Sequence, residues 1–364
     1  MGSATLFHLA ARGQRVLGLE QFAPGHTSGS SHGDSRIIRE QYFEHPLYVP
    51  LVQRAYELWR DLEERVGRPL MTITGGLMIG PPAGMVVAGS MRSAAEHRLQ
   101  SEVLDADQVH DRFPPFRLRD GLVAVVDPRA GILDPDACNA AHIAAARTAG
   151  ADARFNTAIV EWHADGAGVR VTTTTGETFT ADRLVLAAGA WTGQVLADLR
   201  IPLRIERQVL FWFEPDAPAI YAPERFPIYA YEFTPGAICY GFPILPRGAK
   251  AAVMHGGAIA ERPEDVNRTV EAGEIDGLRA ALRPVLPGLA SARVRESAVC
   301  LFTNTPDTDF VIDWHPGHAQ VLVSSPCSGH GFKFASAIGE AQADLITSGA
   351  SRFDLSPFRI DRFQ

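Results

Sequence analysis

The stretch Ser325-Pro326-Cys327-Ser328-Gly329-His330-Gly331-Phe332-Lys333-Phe334 holds the most chemistry per residue in this chain. The apolar run Val321-Leu322-Val323 before it reads as a buried strand, and residues 335–345 after it read as a helix of small and apolar residues. A strand, a glycine pair and a helix let the main chain approach a ligand closely, with free N–H groups aimed at it. Lys333 falls in the first helical turn, where the helix dipole does not favour a cation. That placement points Lys333 at an anion. Two further cations, Arg36 and Arg39, close the polar loop 25–39, GHTSGSSHGDSRIIR. Spaced three apart, they would share a face if the segment turned helical. Lys250 stands alone in the apolar run 249–254, either snorkelling at an edge or buried for a reason. Taken singly, these features also read as a plain strand-to-helix turn, solvated charges and an edge lysine.

The elements around them supply a frame. Residues 4–11 read as a helix capped by Gly13, and residues 15–20 as a strand ending in an acid. That is the second half of a βαβ dinucleotide unit, with Glu20 placed to bond a ribose hydroxyl. Such a unit needs a preceding strand and a G-x-G-x-x-G turn, of which Gly2 alone could be present. The chain is therefore expected to begin inside its own cofactor motif. Val52, Ala55, Trp59, Leu62 and Val66 mark one face of a helix ended by Gly67. Residues 71–80 read as a strand pair. Helices follow at 87–99, after Asp105, and from Asp134-Pro135 to about Ala149.

Beyond Ala153 the pattern changes to short alternating strands with turns at Asp165-Gly166 and Thr175-Gly176. They lead to a buried strand, 183–191, ending in small residues and Gly189, where main chain could pack on a nucleotide. A strand over 203–213, a hairpin over 229–242 around Pro235-Gly236, and a helix over 270–282 come next. Strands at 299–302 and 309–313 precede the glycine-rich turn.

The whole chain of 364 residues is 46% hydrophobic and 21% charged, an ordinary globular composition. A net charge of −8 with no basic run argues against a nucleic-acid partner. No stretch is apolar enough to span a bilayer, and no leader peptide opens the chain, so no membrane partner is expected. Cys138, Cys239, Cys300 and Cys327 are scattered without metal-ligand spacing and suggest a reducing, cytoplasmic setting. His255, His315, His318 and His330 read as lying in separate turns, so no metal is expected.

Glu20 after a strand, then SSHGDSRIIR, LVLAAGAW, ICYGFP, AVCLFTNTPDTDF and SGHGFKF occur in that order. Over essentially its whole length the chain resembles the monomeric sarcosine oxidase family of flavoproteins, which includes N-methyl-L-tryptophan oxidase and pipecolate oxidase. The resemblance implies an α/β fold. A Rossmann-like FAD-binding domain, its first strand truncated, would comprise 1–68, 136–203 and 306–364. It would be interleaved with an α+β antiparallel-sheet catalytic domain of 69–135 and 204–305.

It also implies roles. Cys300 matches the cysteine that forms a thioether to the flavin, with Cys327 as its rival. A thiolate is the reactive species, and His32 and Arg36 are candidate cations to favour it. Arg39 and Lys333 match the pair that fixes the substrate carboxylate. Tyr240 matches a tyrosine lining the substrate site, and Arg36 an arginine packed at the flavin. Lys250 matches the lysine that assists oxygen reduction. The family often places a histidine four residues after that lysine, whereas His255 is five residues on. Gly2, Glu20, Ser35, Val160, Gly189, Gly329, His330 and Gly331 complete the expected cofactor contacts, the last three through main chain and helix. Phe302 stands where some members have tyrosine, so sarcosine need not be the preferred substrate.

The implied activity is FAD-dependent oxidation of an N-methyl or cyclic secondary amino acid to the imine, with O2 reduced to hydrogen peroxide, by a monomer. A dehydrogenase of the same fold with another electron acceptor stays open. So does a flavin-free paralogue, should the short amino-terminal unit be intrinsic.

Overall fold

The computed structural model describes residues 1–166 and 168–363. Three helices form one packing unit. Gly2–Ala11 is buried along Ala4 to Ala10 and packs on both Pro135–Thr148 and Ala335–Ser348. The approach is close because the facing residues are small. A Cβ added to Gly339 would lie 2.7 Å from the Cβ of Ala4. Val49–Val66 buries Val52, Ala55, Trp59 and Leu62 as its periodicity demands, and Gly67 caps it at φ 63°. Trp59 Nε1 donates to the Lys333 carbonyl at 2.9 Å, which ties this helix to the glycine-rich turn.

On this side the parallel pairs are made by short strands. Leu17–Leu19 pairs with Asp152–Arg154, and Leu184–Leu186 with Val321 to Val323 of His318–Ser325. The two pairs belong to separate sheets. Ile159–Asp165, Gly168–Thr173 and Thr178–Ala181 make a small antiparallel sheet.

The large sheet draws its strands only from 76–127 and 204–304. Its order is Ile259–Ala260, Arg204–Glu214, Gly248–Met254, Ala237–Leu245, Ile228–Thr234, Gly76–Gly80, Val123–Asp127, Glu102–Leu104, with Arg293–Asn304 also on Arg204–Glu214. Pairing is antiparallel except between Ile228–Thr234 and Gly76–Gly80. Strand alternation gives the sheet two distinct faces. Tyr229, Tyr231, Cys239 and Ala251 pack with Leu278, Leu282 and Leu286. Ala230, Ile238, Tyr240, Phe242 and Met254 gather on the other face.

Several sequence expectations are corrected here. Residues 71–80 do make two strands, but they do not pair. Met71–Ile73 joins Gly131–Leu133, while Gly76–Gly80 enters the large sheet, with the chain turned between them at Gly75 (φ 71°). Arg36 and Arg39 share no helical face, because Arg36–Ile38 is a strand paired with Gly131–Leu133. Adjacent β-branched isoleucines favour that conformation, and positive φ at Gly33 and Asp34 interrupts any helix before them. The helix expected over 270–282 begins only at Glu274. Upstream, Arg207 draws the carbonyls of Asn267 and Thr269 into its own hydrogen bonds. His315 and His318 flank a single turn with ring centroids 4.7 Å apart, and are not in separate turns.

Among the described residues, no helix is long and apolar enough to cross a membrane.

Candidate active site

A cavity of about 1920 Å³ runs between the two halves just described. Gly2, Glu20 and Gly189 border one part of it, and Arg36, Arg39, Tyr240, Cys300 and Lys333 another. Residues separated by almost the whole chain thus meet at one opening.

At the first part, Glu20 follows its strand and accepts the Phe22 N–H at 3.0 Å. Gly189 has φ 56°, and a Cβ there or at Gly2 would meet nothing closer than 3.7 Å. Both therefore leave main chain open to a close neighbour. Val160 does not join them. It is 61% exposed, and Ile159 borders the cavity in its place. Neighbouring strand residues take opposite faces, so the cavity meets the Ile159 side chain and not that of Val160.

Arg36 donates from Nη1 to the Ser35 carbonyl (2.8 Å) and from Nη2 to the Ser30 carbonyl (2.5 Å), with Cys300 Sγ 3.7 Å from Nη2. Cys300 itself is 2% exposed. His32 is not a cation beside it. Burial, followed by the charges of Arg36, Arg268, Lys250 and Arg247, pushes His32 down to about 4, and it does not border the cavity. Arg36 alone of the two expected cations faces the thiol. Cys327 also borders the cavity, and burial pushes its thiol up.

The glycine-rich turn is tighter than its sequence suggests. The N–H groups of His330 and Gly331 both donate to the Cys327 carbonyl, so they are not free for a ligand. A Cβ at Gly331 would lie 1.7 Å from the Pro326 oxygen, so the turn requires glycine. Gly329, at φ 77°, sits beneath the Phe302 ring, 2.8 Å from where its own Cβ would be. Regular α-helix starts only at Ala335, after the 3-10 turn Phe332–Phe334.

Lys333 is 5% exposed, and its Nζ donates to the His330 carbonyl at 2.8 Å. Tyr42 Oη lies 3.5 Å from Nζ and 2.6 Å from His330 Nδ1. His330 Nε2 is 2.9 Å from the Thr308 carbonyl, which can only accept. Nε2 therefore carries the proton, and Tyr42 donates to Nδ1. Both ring nitrogens of His330 are thereby engaged. Burial and then the charge of Arg39 push Lys333 down to about 7, against the opposing pull of Glu44.

Arg39 stacks its guanidinium 3.9 Å over Phe43 and 4.2 Å over Tyr42, donates to the Gln41 carbonyl, and pairs with Glu44. Burial raises Glu44, but Arg39, His330 and Lys333 outweigh it and hold the carboxyl below its ordinary range. Its Oε1 is buried without a partner. Tyr240 borders the cavity, with its phenol pushed up to about 12 by burial and lowered somewhat by Arg36.

Lys250 is 1% exposed and stands behind the wall, not on it. Nζ donates to the carbonyls of Gly33 (2.8 Å) and Ser35 (2.7 Å) and lies 4.3 Å from the Phe242 ring centroid. Phe242 borders the cavity and Lys250 does not. Burial, then Arg36, pushes the lysine well below its usual range. His255 also lies off the cavity. With φ 64° it turns Nδ1 to within 3.0 Å of Glu206, which also accepts from Gly257 and Asn304. Met254 occupies the cavity edge instead.

Sequence reasoning missed Glu44, Phe43, Ile159 and Met254. The alternation of strand 248–254 could have found Met254, since it shares the face of Lys250. Nothing in the sequence marked Glu44.

A family profile described as FAD dependent oxidoreductase matches residues 1–345. Monomeric sarcosine oxidase of Streptomyces avermitilis is 42% identical over 363 residues, covering 98% of this chain and 94% of the relative. N-methyl-L-tryptophan oxidase of Salmonella agona is 35% identical over 365 residues, covering 100% and 96%. Among solved structures, the open form of NikD, described as an unusual amino acid oxidase essential for nikkomycin biosynthesis, matches with a TM-score of 0.83. That match is 25% identical and covers 98% of this chain and 94% of NikD.

Proposed function

This chain belongs to the FAD dependent oxidoreductase family, and on that premise we propose that it oxidises an N-methyl or cyclic secondary amino acid to the imine. The observation that supports this most is the convergence of Arg39 and Lys333 at one end of the cavity that Cys300 also borders. Two cations near one apolar opening suit the carboxylate of an amino acid.

The residues present fit FAD. Gly2 and Gly189 permit close approach, Glu20 ends its strand at the cavity, and Ser35 Oγ is buried at the cavity without a partner. These residues, with Arg36, would hold the cofactor, and Cys300 would attach it covalently. The chemistry FAD would supply when bound is acceptance of a hydride equivalent from the carbon beside the amine nitrogen, with the electrons then going to dioxygen to give hydrogen peroxide. Arg39 and Lys333 hold the carboxylate, and Tyr240 and Phe242 wall off water. Fixing the substrate in this way accounts for much of the rate. Lys250 acts by holding the 33–35 main chain that carries Arg36. The cofactor half would comprise 1–68, 136–203 and 306–364, and the substrate half 69–135 and 204–305. The protein would act as a monomer.

The test is anaerobic mixing of the yellow holoprotein with secondary amino acids, followed by air. Bleaching that reverses in air with release of peroxide supports the oxidase. Bleaching that reverses only with an artificial acceptor gives the dehydrogenase. No bleaching with any secondary amino acid overturns the proposal.

A further inference from the structure

The wall next to the two cations is apolar and continuous with them. Phe43, on which the Arg39 guanidinium stacks, belongs to the same buried cluster as Ala230, Ile238 and Phe242, with Tyr240 and Met254 packed against it. All six border the cavity. Strand register explains the grouping. Ala230 is directly opposite Tyr240, and Ile238 is directly opposite Met254. Small Ala230 leaves room beside the Tyr240 ring, and Met254 has a flexible side chain that adapts to what it meets.

Two neighbouring ionisable groups are turned elsewhere. His255 is one residue past Met254 and is held by Glu206. Lys250 shares the Met254 face but is capped by two carbonyls behind Phe242. Arg39 and Glu44 stay on the cavity, joined through Arg39 Nη2. Apart from the Tyr240 hydroxyl, these six side chains offer a ligand no polar group.

Resting on the amine-oxidation reading, we infer that the substrate is an N-alkyl amino acid with a branched or ring-shaped uncharged apolar side chain. That side chain lodges between Phe43, Ala230, Ile238 and Met254 while the carboxylate meets Arg39 and Lys333. A glycine derivative such as sarcosine leaves this wall uncovered. An acidic side chain would desolvate a charge without a partner and face Glu44.

The experiment compares sarcosine, N-methyl-L-leucine and N-methyl-L-aspartate by anaerobic flavin bleaching and by kcat/KM with the holoprotein. N-methyl-L-leucine is expected to exceed sarcosine at least tenfold, because each buried methylene adds discrimination, and N-methyl-L-aspartate to be the poorest. Sarcosine equal to or better than N-methyl-L-leucine, or a preference for the aspartate, overturns the inference while leaving the amine-oxidation reading intact. Absence of bleaching across the whole series overturns that reading and the inference with it. In Met254→Glu the leucine-to-sarcosine ratio is expected to fall at least tenfold. An unchanged ratio in that variant removes the wall from the explanation.

Discussion

Nη2 of Arg36 lies 3.7 Å from Cys300 Sγ while donating to the Ser30 carbonyl. The guanidinium is thus fixed by main chain before any cofactor arrives, and it presents a permanent positive charge to a buried thiol. Acid precipitation of the holoprotein should leave yellow colour in the pellet. In Cys300→Ala the colour should pass to the supernatant, and in Arg36→Met attachment should be slowed. Colour retained by Cys300→Ala would transfer the linkage to Cys327.

Lys333 should make carboxylate binding pH-dependent. In the free protein its amine is a cation below about 7 and neutral above. Affinity for a simple carboxylate such as isobutyrate should therefore be greatest below pH 7 and fall as pH rises through it. Lys333→Met should bind about 10- to 100-fold more weakly at pH 6, the range for losing one charge-assisted hydrogen bond of about 1.5–3 kcal/mol. It should also lose the pH dependence. Flavin absorbance changes on titration measure both effects.

Lys250→Met removes the donor from two carbonyls, those of Gly33 and Ser35. Each carbonyl keeps a second donor, the Ser35 N–H on Gly33 and Arg36 Nη1 on Ser35, so the loss is of two hydrogen bonds worth about 0.5–1.5 kcal/mol each, and the variant should unfold at lower denaturant concentration. Stopped-flow reoxidation of the reduced flavin by oxygen should slow as well. Fast natural reoxidation with a slow variant supports the oxidase, and slow reoxidation in both points to another electron acceptor.

Acid should destabilise the fold in a defined window. His8, His32 and His330 are each pushed down to about 4, first by burial. Unfolded histidines bind protons near 6.5. Between those values the unfolded chain holds more protons, so stability falls as pH drops from about 6.5 to about 4. Calorimetric Tm at pH 7.5 and 5 measures this. His8→Gln removes one of these contributions, to which the buried His142 also adds, and its Tm should vary less with pH. His8 Nε2 has no partner to lose.

Much of this was legible in the residues because their local preferences agree with the fold. The helix of Trp59, the acid-capped helix from Pro135 and the hairpin at Gly236 obey periodicity and turn chemistry. The errors share one physical cause. Which face a strand residue takes depends on pairing that the local sequence does not encode. The Ile159 side chain, not that of Val160, borders the cavity, Arg36 lies on a strand and not on the helix under which it would share a face with Arg39, and Met254 borders the cavity unmarked by any motif. Glu44 went unseen because nothing in its local sequence marks it as the partner of Arg39.

The contact of Ala4 with Gly339 has a consequence for folding kinetics. Helix Gly2–Ala11 packs against Ala335–Ser348, and Leu184–Leu186 takes Val321 to Val323 as its parallel neighbour, so both contacts join segments far apart in sequence. Loop-closure entropy must be spent before such contacts reward it. The side of the cavity they build should therefore form late on refolding from denaturant.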